Sequence, residues 1–397
     1  MIDFDSIVKR QDTDSLKYDF ALKRGMPEDI LPLWVADMDF PAPDCVTKAL
    51  AEKSLHGVFG YSDTRDDYFS ILSHWFLNRF SFEVQPEWLI KTPGVVYAIA
   101  AAIRAYTQPG DAVLIQPPVY YPFSDCILRN RRTLAENPLV LINGHYEIDF
   151  AGFEQTIEEH CVKLFLLCSP HNPVGRVWKR WELERLGEIC LKHNVIVAAD
   201  EIHQDFVFPA YQHHVFAGLG PGFERISVTL TAPTKTFNLA GLQISNIFIP
   251  DAALRELFIN EIAASGYSQP NIMGITACKA AYAKGEIWLN ELLFYLNGNL
   301  RFVEAFLKDN LPQVRLIKPE GTYLCWLDMR GLGLDADKVN HLIVHTARLW
   351  LDDGRMFGTG GEGFQRINIA CPQPLLKKAL ERLANALAPC AALLKAE

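Results

Sequence analysis

Three short polar motifs each follow an apolar run in this sequence, and each supplies a side chain that could do chemistry. Asn172 lies in SPHNPVG, Asp200 lies in ADEIHQD, and Lys235 lies in APTKTF. In an open α/β sheet, functional groups collect at the carboxyl ends of the strands. We therefore expect an amide, a carboxylate and a lysine amine to converge on one crevice.

The lysine and the aspartate together point to one cofactor. Asp200 ends the apolar run VIVAA, where a carboxylate is costly to bury unless a cation such as a pyridinium pairs with it. A lysine at a strand end can form a Schiff base. An imine-forming lysine and an aspartate on a ring nitrogen are what pyridoxal phosphate chemistry requires. The sequence TPGVV, at the predicted start of a helix, would offer backbone N–H groups to the phosphate.

The elements that must position these residues can be predicted from the apolar pattern. Five runs have the length and composition of buried strands: AVLIQPP, KLFLLCSP, VIVAADEI, RISVTLTA and QISNIFIP. The segment WKRWELERLGEICLKHN, between the second and third runs, has helical spacing. Continuous apolar strands separated by helices predict an α/β fold, in which helices cover both faces of a mostly parallel sheet.

The pattern changes near residue 290. A long helix is followed by the strand-like PEGTYLCWLDM, the glycine-rich FGTGGEGF, the strand QRINIA and a terminal amphipathic helix. We therefore predict a large cofactor-binding domain over residues 46–289. Residues 1–45 and 290–397 are predicted to form a smaller α+β domain.

Composition excludes several classes of function. The 397 residues carry a formal charge of −9 without a clustered basic patch, which argues against a nucleic-acid partner. We find no apolar stretch of the roughly 18 residues that a membrane span needs, and no apolar signal core near the N-terminus. The nine cysteines form no CxxC pair, so a metal site is not expected and a reducing cytoplasm fits.

The sequence resembles the fold-type-I pyridoxal-phosphate enzymes of the class I/II aminotransferase superfamily. Within it, the chain is most similar to the cystathionine β-lyase, or carbon–sulfur lyase, branch. The motifs LPLWVADMDFP, GYSDT, PPVYYPF, SPHNPVG, DEIHQDF, APTKTFNLAGLQ and GGEGFQRINIACP carry the resemblance, in family order from residue 31 to residue 372. The resemblance implies α,β-elimination from L-cystathionine and related S-substituted cysteines, as in methionine biosynthesis, which yields pyruvate, ammonia and a thiol.

The resemblance also implies a role for each matching residue. Lys235 would bind the cofactor covalently and shuttle the proton, Asp200 would keep the ring nitrogen protonated, and Tyr120 would stack on the ring. The implied cofactor contacts are Asn172, His203, Gly94, Val95, Val96, Thr234 and, from the other subunit of a homodimer with shared sites, Tyr61. The implied substrate contacts are Arg366, which would clamp the α-carboxylate, with Trp34, Asp37 and Tyr61 at the entrance.

Two positions depart from the aminotransferase pattern. Gln243 stands where many aminotransferases have an arginine that pairs with the phosphate, and Ala232 stands where serine is common. Both weaken charge neutralisation at the phosphate and favour a lyase. Two alternatives stay open, namely an aminotransferase that uses the same residues and a lyase with an additional regulatory, protein-binding role. Asp205 is expected to be a local cap, and His213 is expected at the surface.

Overall fold

A computed structural model describes residues 2–220 and 222–393. A seven-stranded sheet forms its centre. In chain order the strands are β1 (Leu89–Thr92), β2 (Ala112–Ile115), β3 (Thr133–Glu136), β4 (Leu164–Cys168), β5 (Ile196–Asp200), β6 (Ser227–Thr231) and β7 (Ser245–Phe248). Their spatial order is β1-β7-β6-β5-β4-β2-β3. Strands β2 to β6 are parallel, whereas β7 is antiparallel to both of its neighbours, so the predicted mostly parallel sheet is confirmed.

Helices follow most of the strands. The helices of six or more residues are α1 (Asp44–His56), α2 (Asp66–Phe80), α3 (Val95–Tyr106), α4 (Pro122–Arg129), α5 (Phe150–His160), α6 (Arg180–His193), α7 (Ala252–Ala264), α8 (Ile272–Lys284), α9 (Glu286–Asn310), α10 (Ala336–His341) and α11 (Gln373–Leu393). A one-turn helix, Pro233–Thr236, begins two residues after β6.

Strand β4 shows why its sequence lacks polar residues. Leu164 and Leu166 pack into the core that contains α3, α4 and α7. Phe165 and Leu167 point the other way, into the core of α5 and α6. Successive side chains of a strand face opposite sides of the sheet, so a strand covered on both faces must be apolar throughout. Burying each such side chain contributes about 1.5–3 kcal/mol to the stability of the fold. The buried strand in turn holds the residues at its carboxyl end in place.

A second sheet lies in the C-terminal part of the chain. Its strands are β8 (Arg315–Ile317), β9 (Leu324–Asp328), β10 (Asp352–Asp353) and β11 (Phe364–Asn368), in the spatial order β8-β9-β11-β10. The short strand Leu31–Pro32 pairs in parallel with Leu349–Trp350, so these two segments of the chain are in contact.

The predicted division into two domains stays a prediction. Its boundary between residues 289 and 290 falls inside α9, which runs unbroken from Glu286 to Asn310. Residue 1 and residues 394–397, at the two ends of the predicted small domain, lie outside the described residues. Among the residues that the structure covers, no helix is both long enough and apolar enough to cross a bilayer.

Candidate active site

One cavity at the carboxyl ends of β4, β5 and β6 contains most of the predicted site residues. Asp200 is the last residue of β5 and pairs in register with Cys168, the last residue of β4. Lys235 lies in the one-turn helix that follows β6. The predicted residues that line this cavity are Gly94, Val95, Val96, Tyr120, Asn172, Asp200, His203, Thr234 and Lys235. The sheet therefore brings three separate sequence motifs to one place.

The N-terminus of α3 forms one wall of the cavity. Gly94 precedes the helix, and its carbonyl accepts the amide of Ala98 as the first helical hydrogen bond. The amides of Val95 and Val96 have no carbonyl within the helix to bond, and the helix dipole favours an anion at this point. Among the described residues that line the cavity, Lys235 is the only lysine or arginine. A phosphate here would therefore rely on backbone N–H groups and the Thr234 hydroxyl.

The environment of Lys235 favours its neutral amine. Its Nζ donates a 2.6 Å hydrogen bond to the carbonyl of Ala36. Burial, together with the positive charge of Arg366, lowers the pKa of Lys235 to about 8, although Asp37 and Asp200 oppose the shift. A lysine with this pKa has a much larger unprotonated fraction near neutral pH than an ordinary lysine, and the unprotonated amine is the form that imine formation and proton abstraction require.

The environment of Asp200 favours a cationic ligand beside it. Burial raises the pKa of this carboxyl group to about 7, against a partial opposing effect of the Ile202 amide, which donates a 3.2 Å hydrogen bond to Oδ1. Nearby, burial holds the pKa of His203 well below its usual range, and its buried Nδ1 has no hydrogen-bond partner. A buried carboxylate without an ion-pair partner and an unpartnered ring nitrogen fit a bound pyridinium ring that carries polar substituents.

Arg366 lies beside this cavity in strand β11. Its Nη1 donates a 2.9 Å hydrogen bond to Oδ1 of Asn172, and its Nη2 donates one of 2.7 Å to the carbonyl of Trp34. Nη2 also contacts the carboxylate of Asp352. Because the Asn172 oxygen is used by the arginine, its Nδ2 donor is left for an acceptor in the cavity. The two residues thus form one hydrogen-bonded unit at the edge of the site.

Three predicted substrate or cofactor contacts have other surroundings. The Trp34 ring stacks on Trp350 at 4.5 Å, so its backbone carbonyl rather than its side chain reaches Arg366. The Asp37 carboxylate is bound by Arg10 and Lys17, so its substrate contact stays a prediction. Tyr61 is 99% exposed and lies away from the cavity of its own chain.

Two residues of the site were missed by the sequence reasoning. The hydroxyl of Tyr323 donates a 3.0 Å hydrogen bond to the carbonyl of Ala36 that also accepts from Lys235. The Tyr323 ring lies edge-on to His203, with 5.6 Å between centroids. The alternation of PEGTYLCWLDM predicted a strand but did not indicate a site role for Tyr323. No motif distinguishes Asp352, because its contact with Arg366 depends on the pairing of β10 with β11.

Buried ionic groups behind the cavity correct two expectations. Asp205 is not a local cap: its Oδ2 accepts a 2.8 Å hydrogen bond from Thr236, the residue after Lys235, and its Oδ1 lies 2.8 Å from Arg79. His213 is not at the surface but is buried, with its Nε2 3.0 Å from a carboxylate oxygen of Glu201. Neither contact has a sequence signal, since Asp205 and Thr236 are 31 residues apart and Glu201 and His213 are 12 residues apart, on no common helix or strand. The Asp205–Thr236 hydrogen bond joins the segments that follow β5 and β6, and the His213–Glu201 contact fixes the residue next to Asp200.

Comparison with known proteins identifies the class of protein that this fold and site define. Residues 28–383 match the family described as aminotransferase class I and II. The match covers most of the chain, and full-length relatives exceed 30% identity, so the chain belongs to this family. The predicted family is thus confirmed.

Several relatives are similar over their whole length. The cystathionine beta-lyase PatB of Bacillus subtilis is 42% identical over 386 residues, which covers 97% of this chain and all of the relative. The crystal structure of cystalysin from Treponema denticola, which contains a pyridoxal 5'-phosphate cofactor, superposes with a TM-score of 0.95 at 37% identity, covering 98% of this chain and 99% of that one. The PLP-bound C–S lyase from Staphylococcus hominis has a TM-score of 0.92 at 31% identity, with 98% of each chain covered.

Proposed function

We propose that this protein is a pyridoxal-phosphate-dependent carbon–sulfur lyase of the cystathionine β-lyase type. Its substrates are L-cystathionine and related S-substituted cysteines. The observation that carries the proposal is the cavity shared by Lys235 and Asp200 at neighbouring strand ends, with Arg366 beside it. The cystathionine beta-lyase with 42% identity and the C–S lyase with 31% identity, both similar over nearly their full lengths, support the lyase branch of the family.

The residues of the cavity match the groups of the cofactor. Lys235 would hold it covalently, Asp200 would lie against the ring nitrogen, Asn172 and His203 would face the ring oxygen, and Tyr120 would cover the ring. The amides of Gly94, Val95 and Val96 and the hydroxyl of Thr234 would bind the phosphate. When bound, pyridoxal phosphate supplies an electron sink for negative charge at the substrate Cα.

Different side chains of this protein carry out different steps of the elimination. Arg366 binds the α-carboxylate and thereby orients the Cα–H bond. Once the substrate amine has taken the place of Lys235, the freed Lys235 amine, whose pKa is lowered to about 8, would remove the α-proton as a general base. The Cβ–S bond breaks, the electron pair leaves with sulfur, and a proton converts the thiolate to a thiol. With one water consumed, the products are pyruvate, ammonia and the thiol.

We further infer a homodimer in which each subunit completes the site of the other. Tyr61 would reach the phosphate in the partner's cavity. The large apolar side chains of Leu55, Val58, Phe59 and Tyr61 are 60–99% exposed along one stretch of chain. Apolar groups exposed in this way mark an interaction surface. A cytoplasmic location belongs to the same proposal because the eight cysteines whose side chains are described are free thiols.

The test is turnover of cystathionine by the cofactor-loaded protein without any keto acid. A lyase releases pyruvate and thiol continuously, in equal amounts. The matched variant Lys235→Ala should release neither. An aminotransferase would stop after one turnover per site, because its amino group stays on the cofactor until a keto acid removes it. Such a stop, followed by recovery when a keto acid is added, would contradict the lyase proposal and support the aminotransferase.

A further inference from the structure

The Arg366 guanidinium is already occupied by groups of its own chain. A guanidinium can bind a carboxylate bidentately through either of two pairs of parallel N–H groups, and both pairs include a proton of Nη2. Both Nη2 protons are in use, one by the Trp34 carbonyl and one by Asp352. Nη1 donates one hydrogen bond to Asn172, and Nε is buried without a hydrogen-bond partner.

Asp352 is held against Arg366 by the fold itself. The two residues lie directly opposite each other in the antiparallel pair of β10 and β11. The Asp352 side chain is 2% exposed and that of Arg366 is 3% exposed, so solvent screens their interaction little. The carboxylate of Asp352 thus occupies a donor that a substrate carboxylate would need.

We propose that Asp352 is a specificity-determining and positioning residue: it orients Arg366 and competes with the substrate α-carboxylate for Nη2. Bidentate binding of a substrate carboxylate displaces either Asp352 or the Trp34 carbonyl from Nη2. A second carboxylate also has to approach the first within a buried site, which costs free energy. A substrate carboxylate therefore binds Arg366 in competition with Asp352. The free energy lost to this competition must be offset by contacts to the rest of the substrate. This inference depends on the proposed role of Arg366 as the carboxylate site.

The test measures carboxylate binding without turnover. Propionate is titrated into the cofactor-loaded protein by calorimetry, with uncharged propionamide as the control ligand. In Asp352→Asn the amide oxygen can still accept from Nη2, but the competing charge is lost. Because charge-assisted hydrogen bonds are about twice as strong as neutral ones, we expect propionate to bind at least about fivefold more tightly than to the wild type. The KM for an amino-acid substrate should fall with it, with a smaller change in kcat.

The sign of the effect separates competition from simple support. If Asp352 only held Arg366 in place, Asp352→Asn would bind propionate equally or more weakly, and the proposal would be overturned. The matched control is Asp353→Asn, which removes the neighbouring carboxylate, an ion-pair partner of Arg355, and should leave propionate binding unchanged. Propionate is not turned over, so its binding can be measured whether or not the protein is a lyase. Tighter binding by Asp352→Asn, together with a wild type that shows no lyase activity, would refute the proposed reaction and leave this inference standing.

A second measurement does not depend on how the variant folds. A crystal structure of the cofactor-loaded wild type with propionate should show the ligand on Arg366, with Asp352 released from Nη2. Retention of the Asp352 contact beside a bound propionate, or propionate bound elsewhere in the cavity, would overturn the proposal.

Discussion

Asp200 gives a prediction in which the cofactor-free and cofactor-loaded protein respond in opposite directions. Without an ion-pair partner, this buried carboxylate opposes folding, since burial raises its pKa from 3.8 to about 7. The folded state therefore binds more protons than the unfolded state between about pH 4 and pH 7. The contribution of Asp200 to the free energy of unfolding of the cofactor-free wild type should fall as the pH rises through this range. Asp200→Asn removes that dependence.

The size of the effect follows from the same pKa. A rise from 3.8 to about 7 corresponds to about 4 kcal/mol at most. Relaxation of the empty site reduces this figure, so we expect Asp200→Asn to stabilise the cofactor-free protein by about 2–4 kcal/mol at pH 8. At pH 5 the wild-type carboxyl group is already protonated in the folded state. The gain should then be below about 2 kcal/mol.

Urea denaturation of both proteins at pH 5 and pH 8, with and without pyridoxal phosphate, measures these differences. Added cofactor should stabilise the wild type more than Asp200→Asn, because the cofactor supplies the cation that the carboxylate lacks. The matched control is Asp12→Asn, whose side chain is 84% exposed and which should show neither effect. Destabilisation of cofactor-free Asp200→Asn at pH 8, or equal stabilisation of both proteins by the cofactor, would refute the reasoning.

Two further predictions concern the segment above the site and the dimer. Lys17→Met should lower the free energy of unfolding, measured in urea, by about 3 kcal/mol, because Lys17 is fully buried against Asp39 and only Arg10 would remain to pair with that carboxylate. The control Lys9→Met removes an exposed ion pair and should change the free energy of unfolding by less than about 1 kcal/mol. Equal losses in the two variants would contradict this account. Mixing inactive Lys235→Ala and Tyr61→Ala subunits at equal concentration should restore about a quarter of wild-type lyase activity, since half of the dimers formed at random carry one intact site. If subunit exchange is verified and no activity is recovered, the result would count against shared sites.

The large sheet could be predicted because its signals are local. Five continuous apolar runs predicted the five central strands, and the polar motifs after three of these runs predicted residues that line one cavity, the candidate site. The position of Lys235 relative to Asp200 then followed from a general property of parallel sheets, whose strand ends meet at one edge.

Contacts between distant segments could not be predicted from the sequence alone. The burial of His213 requires Glu201 to turn away from the cavity, and the pairing of Asp352 with Arg366 requires the register of a two-residue strand. A short strand of two aspartates has no apolar alternation that would indicate it. Neither the ion pairs of Asp37 nor the shared acceptor of Lys235 and Tyr323 has a signal at a fixed sequence spacing.

The central claim is that Lys235 carries the cofactor, and chemical trapping tests it most directly. Borohydride reduction of the cofactor-loaded protein makes the link between lysine and cofactor permanent, and peptide mass spectrometry then locates it. This account predicts a single phosphopyridoxyl group on the peptide that contains Lys235. A label on a different lysine, or no label on a protein that turns over cystathionine, would contradict it.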